Sequence, residues 1–335
     1  MADNAMVLSS RVRLARNYQD LPFDAATKPD CAAMCIARTT NAMTLSGEAE
    51  GFHLVRLSDL SEIRRQALAD DHRISRDLMR NPETAAVLIR ESDAASIMMN
   101  EEDHLRIQAI RPGMALTEAA ETCFRVDDAL SRQVVFAFDK QLGYLTACPT
   151  NTGTGMRASL LMHLPMLTLG KQMGNVGQIV AKVGLTIRGV YGEGAEALGN
   201  LYQVSNQVTL GRTEQEIIST VTAVGHQLTD MEQALREKAA SADDSRIVLE
   251  DTVYRAWGVM RCARLMPLNE FFRHWSSVRL GAAMGLLPVP LDVLDALLDQ
   301  AQDANLCVFN EQVLTGNALS AARARRVRGM LAPFQ

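Results

Sequence analysis

The sequence has no excess of basic charge, no long apolar run, no CxxC pair and no Walker A loop. Each absence excludes something. A formal net charge of -5 argues against a general nucleic-acid or membrane surface. Without a long apolar stretch, no transmembrane helix is expected. Residues 1–6 show no basic region ahead of an apolar one, so no signal peptide is expected. Of the six cysteines (Cys31, Cys35, Cys123, Cys148, Cys262 and Cys307), none forms a CxxC pair, and Cys31 and Cys35 stand at helical spacing, as packed thiols do. That usage suggests a reduced, cytoplasmic protein. No sequence repeat and no nucleic-acid-binding module stands out.

What is present is enough for a large domain and a smaller one: 335 residues, 47% of them hydrophobic and 22% charged. The chain centres on Asn100-Glu101-Glu102-Asp103-His104-Leu105-Arg106, with short apolar runs on both sides. The flanks predict two strands, and the middle an acidic corner between them. Such a corner is either a solvated turn or a set of charges held near a core by partners.

Upstream, residues 7–17 begin apolar and then alternate, which in an extended chain puts Arg11 and Arg13 on one side. They are either two solvent-facing arginines on an edge strand or a polyphosphate clamp, since guanidinium matches phosphate oxygens bidentately. Helices are expected over 27–45, 60–72 and 116–130, and a strand over 51–57, with His72 closing the second helix. Residues 133–138 and 142–148 predict a β-hairpin. Its second strand leads into Cys148-Pro149-Thr150-Asn151-Thr152-Gly153-Thr154-Gly155, after which a helix is expected from about Gly155. Arg157 would lie in that helix's first turn, where an anion would make a cation favourable. Cys148 is then either a reactive thiol beside that site or a packed one. Pro165 would kink or end the helix.

A helix over 174–183 and a strand over 185–191 follow. The glycines of 192–199 have the wrong spacing for a dinucleotide loop, and a strand, 201–210, comes after them. A loop carrying Glu193 fits better. Thr213-Glu214-Gln215-Glu216 is a capping box opening a helix to about Lys238. Residues 241–245 read as a linker, and helices over 247–264, 269–280 and 291–304 as a separate helical domain whose apolar faces form its core or a dimer contact. Residues 321–328 read as a solvated basic helix end. The expected organisation is α+β: a domain over 1–238 with a mainly antiparallel sheet flanked by helices, and an all-α domain over 239–335.

Arg11, Arg13, Arg106, Arg157 and Arg188 all fall at or beside predicted element ends, with Glu102 and Glu193 on neighbouring loops. A nucleoside triphosphate is the anion that best employs several arginines without a lysine loop, and two carboxylates suit a cationic phosphoryl acceptor.

Four motifs in order carry a family resemblance: Ser9-Ser10-Arg11-Val12-Arg13-Leu14-Ala15-Arg16-Asn17; Asn100 to Ile107; Cys148 to Gly155 with Arg157-Ala158-Ser159; and Arg188-Gly189-Val190-Tyr191-Gly192-Glu193-Gly194. Over residues 7 to about 235 the chain resembles the phosphagen (guanidino) kinase catalytic domain. Within that group it is most similar to bacterial protein arginine kinases of the McsB type. The resemblance implies the phosphagen-kinase fold, ATP and Mg²⁺ as cofactors, and arginine on a polypeptide as acceptor. It implies nucleotide contacts from Ser9, Ser10, Arg11, Val12, Arg13, His72, Arg106, Arg157, Ala158, Ser159, Leu160, Leu161, Arg188, Gly189, Val190, Tyr191, Gly192 and Glu193. Glu102 would be the catalytic carboxylate, Glu193 its partner, and Cys148 would lie against the guanidinium. The metal would be held by phosphates and water, with no protein ligand set.

Metabolite kinases of the group carry a further N-terminal helical domain, which is not expected here because the first motif begins at Ser9. The resemblance also implies a homodimer, a zinc-containing activator protein, and Clp-type proteolysis of marked proteins under stress. The Arg-Asp…Arg-Ala motif that binds phosphoarginine in such kinases lacks its Asp in the corresponding Ala322-Arg323-Ala324-Arg325-Arg326-Val327-Arg328, so the resemblance does not carry that form of control over. The rival readings are a kinase of free arginine or another small guanidine, and a non-catalytic adaptor for arginine-rich or phosphoarginine proteins.

Overall fold

The computed structural model describes residues 3–190 and 197–334, and of residues 3, 4 and 25 the backbone only. A short helix α1 (Asp3–Met6) leads into β1 (Val7–Arg16). Then come α2 (Pro29–Ser46), β2 (Phe52–Arg56), α3 (Glu62–Asp70), β3 (Ala86–Arg90), β4 (Ala95–Met99), β5 (Leu105–Pro112) and α4 (Leu116–Ser131). A two-stranded hairpin, β6 (Phe138–Asp139) and β7 (Gly143–Tyr144), precedes β8 (Met156–His163), α5 (Pro165–Leu169) and α6 (Met173–Lys182). β9 (Leu185–Gly189), β10 (Leu201–Asn206) and α7 (Glu214–Ser241) follow. The remainder is helical: α8 (Asp243–Cys262), α9 (Leu268–Ala283), α10 (Leu291–Gln300), α11 (Asp303–Phe309) and α12 (Gly316–Leu331).

Among the described residues, eight strands form one antiparallel sheet in the order β2-β3-β4-β5-β1-β8-β10-β9. Side chains alternate across a strand, so register decides which residues share a face. One face carries Val12, Leu14, Ile107, Ala109, Ala158 and Leu160 and packs on α2, α4 and α7 in the main core. A smaller core holds residues 57–80 against Val87, Ile89 and Met98 on the opposite face. Another joins α8, α9, α10 and α12 to Leu201, with Leu8 and Leu161 at its edge. The second face of the sheet is therefore flanked on one side by the α3 region and on the other by the C-terminal helices.

The α+β class and the antiparallel sheet are as expected, with several local corrections. β1 is an interior strand, not an edge. The helix expected from Gly155 is strand β8, paired along its length with β1 and β10. Its Met-, Ala- and Leu-rich composition favours helix locally, and sheet pairing on both sides overrides it. Pro165 starts a helix instead of ending one, as proline at the first helical position does. The hairpin is shorter than expected, and Cys148 lies outside it, before a single 3₁₀ turn. The capping box of α7 forms as read, with Thr213 and Glu216 each bonded to the other's backbone N–H. The expected linker is absent: α7 and α8 are separated by Ala242 alone. The helix expected over 291–304 is two, α10 and α11. Arg323 in α12 is not solvated. It is 1% exposed and donates to the carbonyls of Ala301 and Met266 and to Asp303.

Candidate active site

The arginines come together through strand register. Arg13 sits between Gln108 on β5 and Arg157 on β8, and Arg11 between Ile110 and Ser159. Arg106 is two residues from Gln108 on the same strand, and Arg188 lies opposite Gln203, itself opposite Leu161. The alternation puts Arg11, Arg13, Arg106, Arg157 and Arg188 on one face, the one opposite the main core.

This crowding is electrostatically costly. Burial, and then the charges of Arg11, Arg106 and Arg157, hold the Arg13 guanidinium well below its ordinary range, with only Glu101 opposing. Arg157 is lowered by burial and then by Arg188 and Arg106. Its Nη2 donates to Ser205 Oγ at 3.1 Å, while its buried Nε has no partner. A buried N–H without an acceptor is rare and costly. The cluster calls for an anion with several oxygens.

Gln108, which the sequence reading did not single out, organises one side. Its Oε1 accepts from Arg11 Nε at 2.7 Å, and its Nε2 donates to the carbonyl of His72 at 2.7 Å. Its spacing of two from Arg106 was the available signal. His72 adopts a left-handed conformation (φ 59°) just past α3. Burial, followed by the charges of Arg11, Arg76 and Arg13, pushes its imidazole down to about 4, so it is neutral at pH 7.

The acidic corner spans the turn from β4 to β5, as read. Asn100 takes the left-handed conformation (φ 64°), and its side chain donates to the carbonyls of Ala32 and Thr84. The four titratable residues after it play different parts. Glu101 is buried and pairs with Arg106 at 2.6 Å. Burial raises its carboxyl above the usual range while Arg106 opposes, and its Oε2 has no partner. The Glu102 side chain is 45% exposed, 3.8 Å from Arg106. Asp103 is buried and accepts from Asn17 Nδ2 at 2.6 Å and from the backbone N–H of Ala147 at 2.7 Å. His104 is structural: its backbone N–H donates to Asn17, and its Nδ1 accepts from the Tyr18 N–H. Asn17 and Asp103 are thus positioning groups that sequence reasoning passed over.

The loop from Cys148 to Gly155 reaches this corner through Ala147. Cys148 is half-buried, its Sγ 3.0 Å from Thr150 Oγ1. Gly153 and Gly155 both have positive φ, and a Cβ there would lie 2.5 Å from the Thr209 carbonyl and 2.6 Å from the Ala15 carbonyl. Only glycine fits both the conformation and the close approach. Arg16, the third arginine of the first motif, locks the same loop from beneath. It is buried, pairs with Asp127 at 2.7 Å, donates to the Thr154 carbonyl at 3.0 Å and stacks on Tyr144.

The remaining candidates divide by position. Ser9, Ser159 and Leu161 share the arginine face. Val12, Ala158 and Leu160 point into the main core. Ser10 is buried and donates to the Gly113 carbonyl. Gly189 ends β9 and Val190 follows it. Tyr191, Gly192 and Glu193 lie outside the described residues. No group of three or more His, Cys, Asp or Glu suited to a metal ion occurs among the described residues.

Residues 34–235 match the family described as ATP:guanido phosphotransferase, C-terminal catalytic domain. The chain belongs to the ATP:guanido phosphotransferase family. Within this family its kin are protein-arginine kinases. It is 43% identical over 306 residues to the protein-arginine kinase of Caldanaerobacter subterraneus, covering 91% of this chain and 90% of that one. With the protein-arginine kinase of Moorella thermoacetica it shares 44% over 331 residues, 98% and 94% of the two chains. Residues 246–335 match the protein-arginine kinase McsB C-terminal domain. Solved structures of phosphotransferases share the fold. The duplicated taurocyamine kinase of Schistosoma mansoni, bound to transition-state analogue components, superposes with TM-score 0.63 at 28% identity. That match covers 77% of this chain and 38% of the duplicated one. Lombricine kinase superposes with TM-score 0.62 at 27% identity, covering 72% and 70%.

Proposed function

We propose that this guanidino phosphotransferase is an ATP-dependent protein arginine kinase. The observation that carries the proposal is the set of five arginines on one sheet face, next to a turn that exposes Glu102. The cluster's mutual repulsion and the unpartnered Arg157 Nε fit a triphosphate. Nearly full-length kinship with protein-arginine kinases supports a polypeptide acceptor.

In this reading Arg11, Arg13, Arg106, Arg157 and Arg188 hold the phosphates and stabilise charge on the transferred group. Glu102 and Cys148 hold the acceptor guanidinium in line, with Glu193 as the second carboxylate. A new N–P bond forms to the γ-phosphorus as its bond to the bridging β–γ oxygen breaks. The displaced electron pair leaves on ADP. Free arginine holds its proton to a pKa above about 12, so early deprotonation is strongly uphill. Glu102 therefore takes the guanidinium proton late, as the N–P bond forms, and positioning supplies most of the acceleration.

In this reading the metal is carried by the nucleotide, held by phosphate oxygens and water. A Mg²⁺ ion bound with the nucleotide would neutralise charge on the leaving diphosphate. Glu101 Oε2, buried without a partner, is the acceptor available to a water of that ion.

We further propose a catalytic domain over 1–238 and a helical domain over 239–335 that pairs two copies, in a cytoplasmic protein. Its products would mark proteins for a Clp-type protease, with a zinc-containing activator protein as partner. The first experiment is to incubate the chain with Mg²⁺-ATP and either an unfolded arginine-containing protein or free arginine. Acid-labile phosphate on protein arginines, lost in Glu102→Ala, supports the proposal. Label on free arginine alone replaces it with a small-guanidine kinase.

A further inference from the structure

A cavity of about 410 Å³ continues the arginine face beyond Arg11. Its floor holds Ser9, Ile110 and Leu161, and His72 forms a wall. The register makes the floor continuous with the cluster: Ile110 lies opposite Arg11, and Ser9 opposite Leu161. The roof comes from elsewhere in the chain. It is α10 of the C-terminal helices, presenting Ala296 and Asp299.

The site therefore has a direction. The Glu102 corner lies at the start of β5 and the cavity at its far end. Arg106 and Ile110 are four residues apart on that strand, about 13 Å at the usual strand rise, which leaves room for a phosphate chain between acceptor and cavity. Two aliphatic side chains and a neutral imidazole suit the faces of an aromatic base. A carboxyl group above them suits sugar hydroxyls or an exocyclic amine. The roof is anchored on both sides. Asp295 of α10 pairs with Arg279 at 2.7 Å, and Asn305 of α11 donates to Asp71, the residue before His72, at 2.7 Å.

We propose that α10 closes the nucleoside end of the nucleotide site, and that Ala296 and Asp299 are specificity-determining residues for a nucleoside triphosphate. The inference rests on the reading that the arginines hold the phosphates. Burial, then the charge of Asp71, with Asp295 and Asp70 adding and Arg73 opposing, pushes the Asp299 carboxyl up to about 7. At neutral pH it is available both as a donor and as an acceptor.

The test uses the full chain, calorimetry, and two probes: ATP and inorganic tripolyphosphate, which lacks the nucleoside. Ala296→Phe fills the cavity, Asp299→Asn changes only its polarity, and Arg13→Ala reports on the phosphate end. The expected result is that Ala296→Phe weakens ATP at least tenfold and tripolyphosphate less than twofold, with an unchanged melting temperature. Asp299→Asn should shift the ratio of the two affinities at least threefold. Equal effects on both probes, or no effect of Ala296→Phe on ATP, would overturn the proposal. If Arg13→Ala leaves both probes unaffected, the phosphate reading itself fails, whatever α10 does.

Discussion

Asp103 accepts a hydrogen bond from the backbone N–H of Ala147 at 2.7 Å, which ties the turn carrying Glu102 to the residue before Cys148. The two groups proposed to hold the acceptor are thus spaced by a buried carboxylate. Asp103→Leu would leave the Ala147 and Asn17 donors unmatched. Hydrogen bonds to a buried charge contribute about 1.5–3 kcal/mol each, so loss of the two should lower folding stability by about 3–6 kcal/mol. The expected kinetic signature is a raised KM for the arginine acceptor and lower kcat, with ATP affinity unchanged. Loss of ATP affinity instead would move Asp103 to the nucleotide side.

Glu102→Gln keeps the size of the side chain and removes its charge. Steady-state assays on an unfolded protein substrate should show kcat reduced about 10²–10³-fold, in the range of a lost general-base and positioning group. Calorimetric ATP binding should be unaltered. Near-normal turnover in this variant would assign the chemistry to another residue.

Arg13, proposed above to hold phosphate, carries a charge that burial and three neighbouring cations oppose. Arg13→Met should raise the melting temperature without ligand, by about 1 kcal/mol of stability, and abolish the further rise given by ATP. Thermal unfolding with and without ATP checks both halves. A variant less stable than the parent would show that Arg13 has a structural partner.

His72 ionises near 4 in the ligand-free protein, against about 6.5 in an unfolded chain. The unfolded state therefore takes up a proton first as pH falls from 6.5 to 4, and this site removes stability over that window. A bound polyphosphate adds negative charge beside Arg11 and should move the imidazole upward. Histidine NMR titrations with and without ATP test this. A ligand-free value near 6.5 contradicts it.

Asp299 ionises at about 7 in the fold, with Asp70, Asp71, Arg73 and Asp295 around it. An unfolded aspartate loses its proton near 4. The native state thus keeps a proton that the unfolded chain gives up, so this site's contribution is intact below about pH 4 and declines as pH rises through 7. Asp299→Asn is exempt from that decline. It should exceed the parent in stability by about 1–2 kcal/mol at pH 8 and lose the advantage near pH 4, read by urea unfolding.

The corner at Asn100–Arg106 and the pairing of Arg11 with Arg13 were legible because strand alternation is a local signal. Arg157 was found for a mistaken local reason. It was placed at a helix start, whereas its company comes from β1 and β10 on either side of it. Nothing local distinguishes Met156–His163 from a helix; only its neighbours in the sheet do. Gln108, Asn17 and Asp103 escaped notice because their roles are bonds to residues between 36 and 128 positions away. Arg323 was misread because a basic run looks solvated unless the carbonyls waiting for it are known.

Ala242 is the sole residue between the 28-residue α7 and the 20-residue α8. A hinge requires several residues free to change backbone angles, and here α8 packs on α9 from Leu249 onward. The C-terminal helices consequently act on the sheet as a lever, not as a weight on a tether. A displacement of these helices would be passed to α7, which packs on β8, and would carry α10 with it over Ser9. Lengthening the junction by a few glycines would slacken that linkage while leaving every side chain of the arginine face in place.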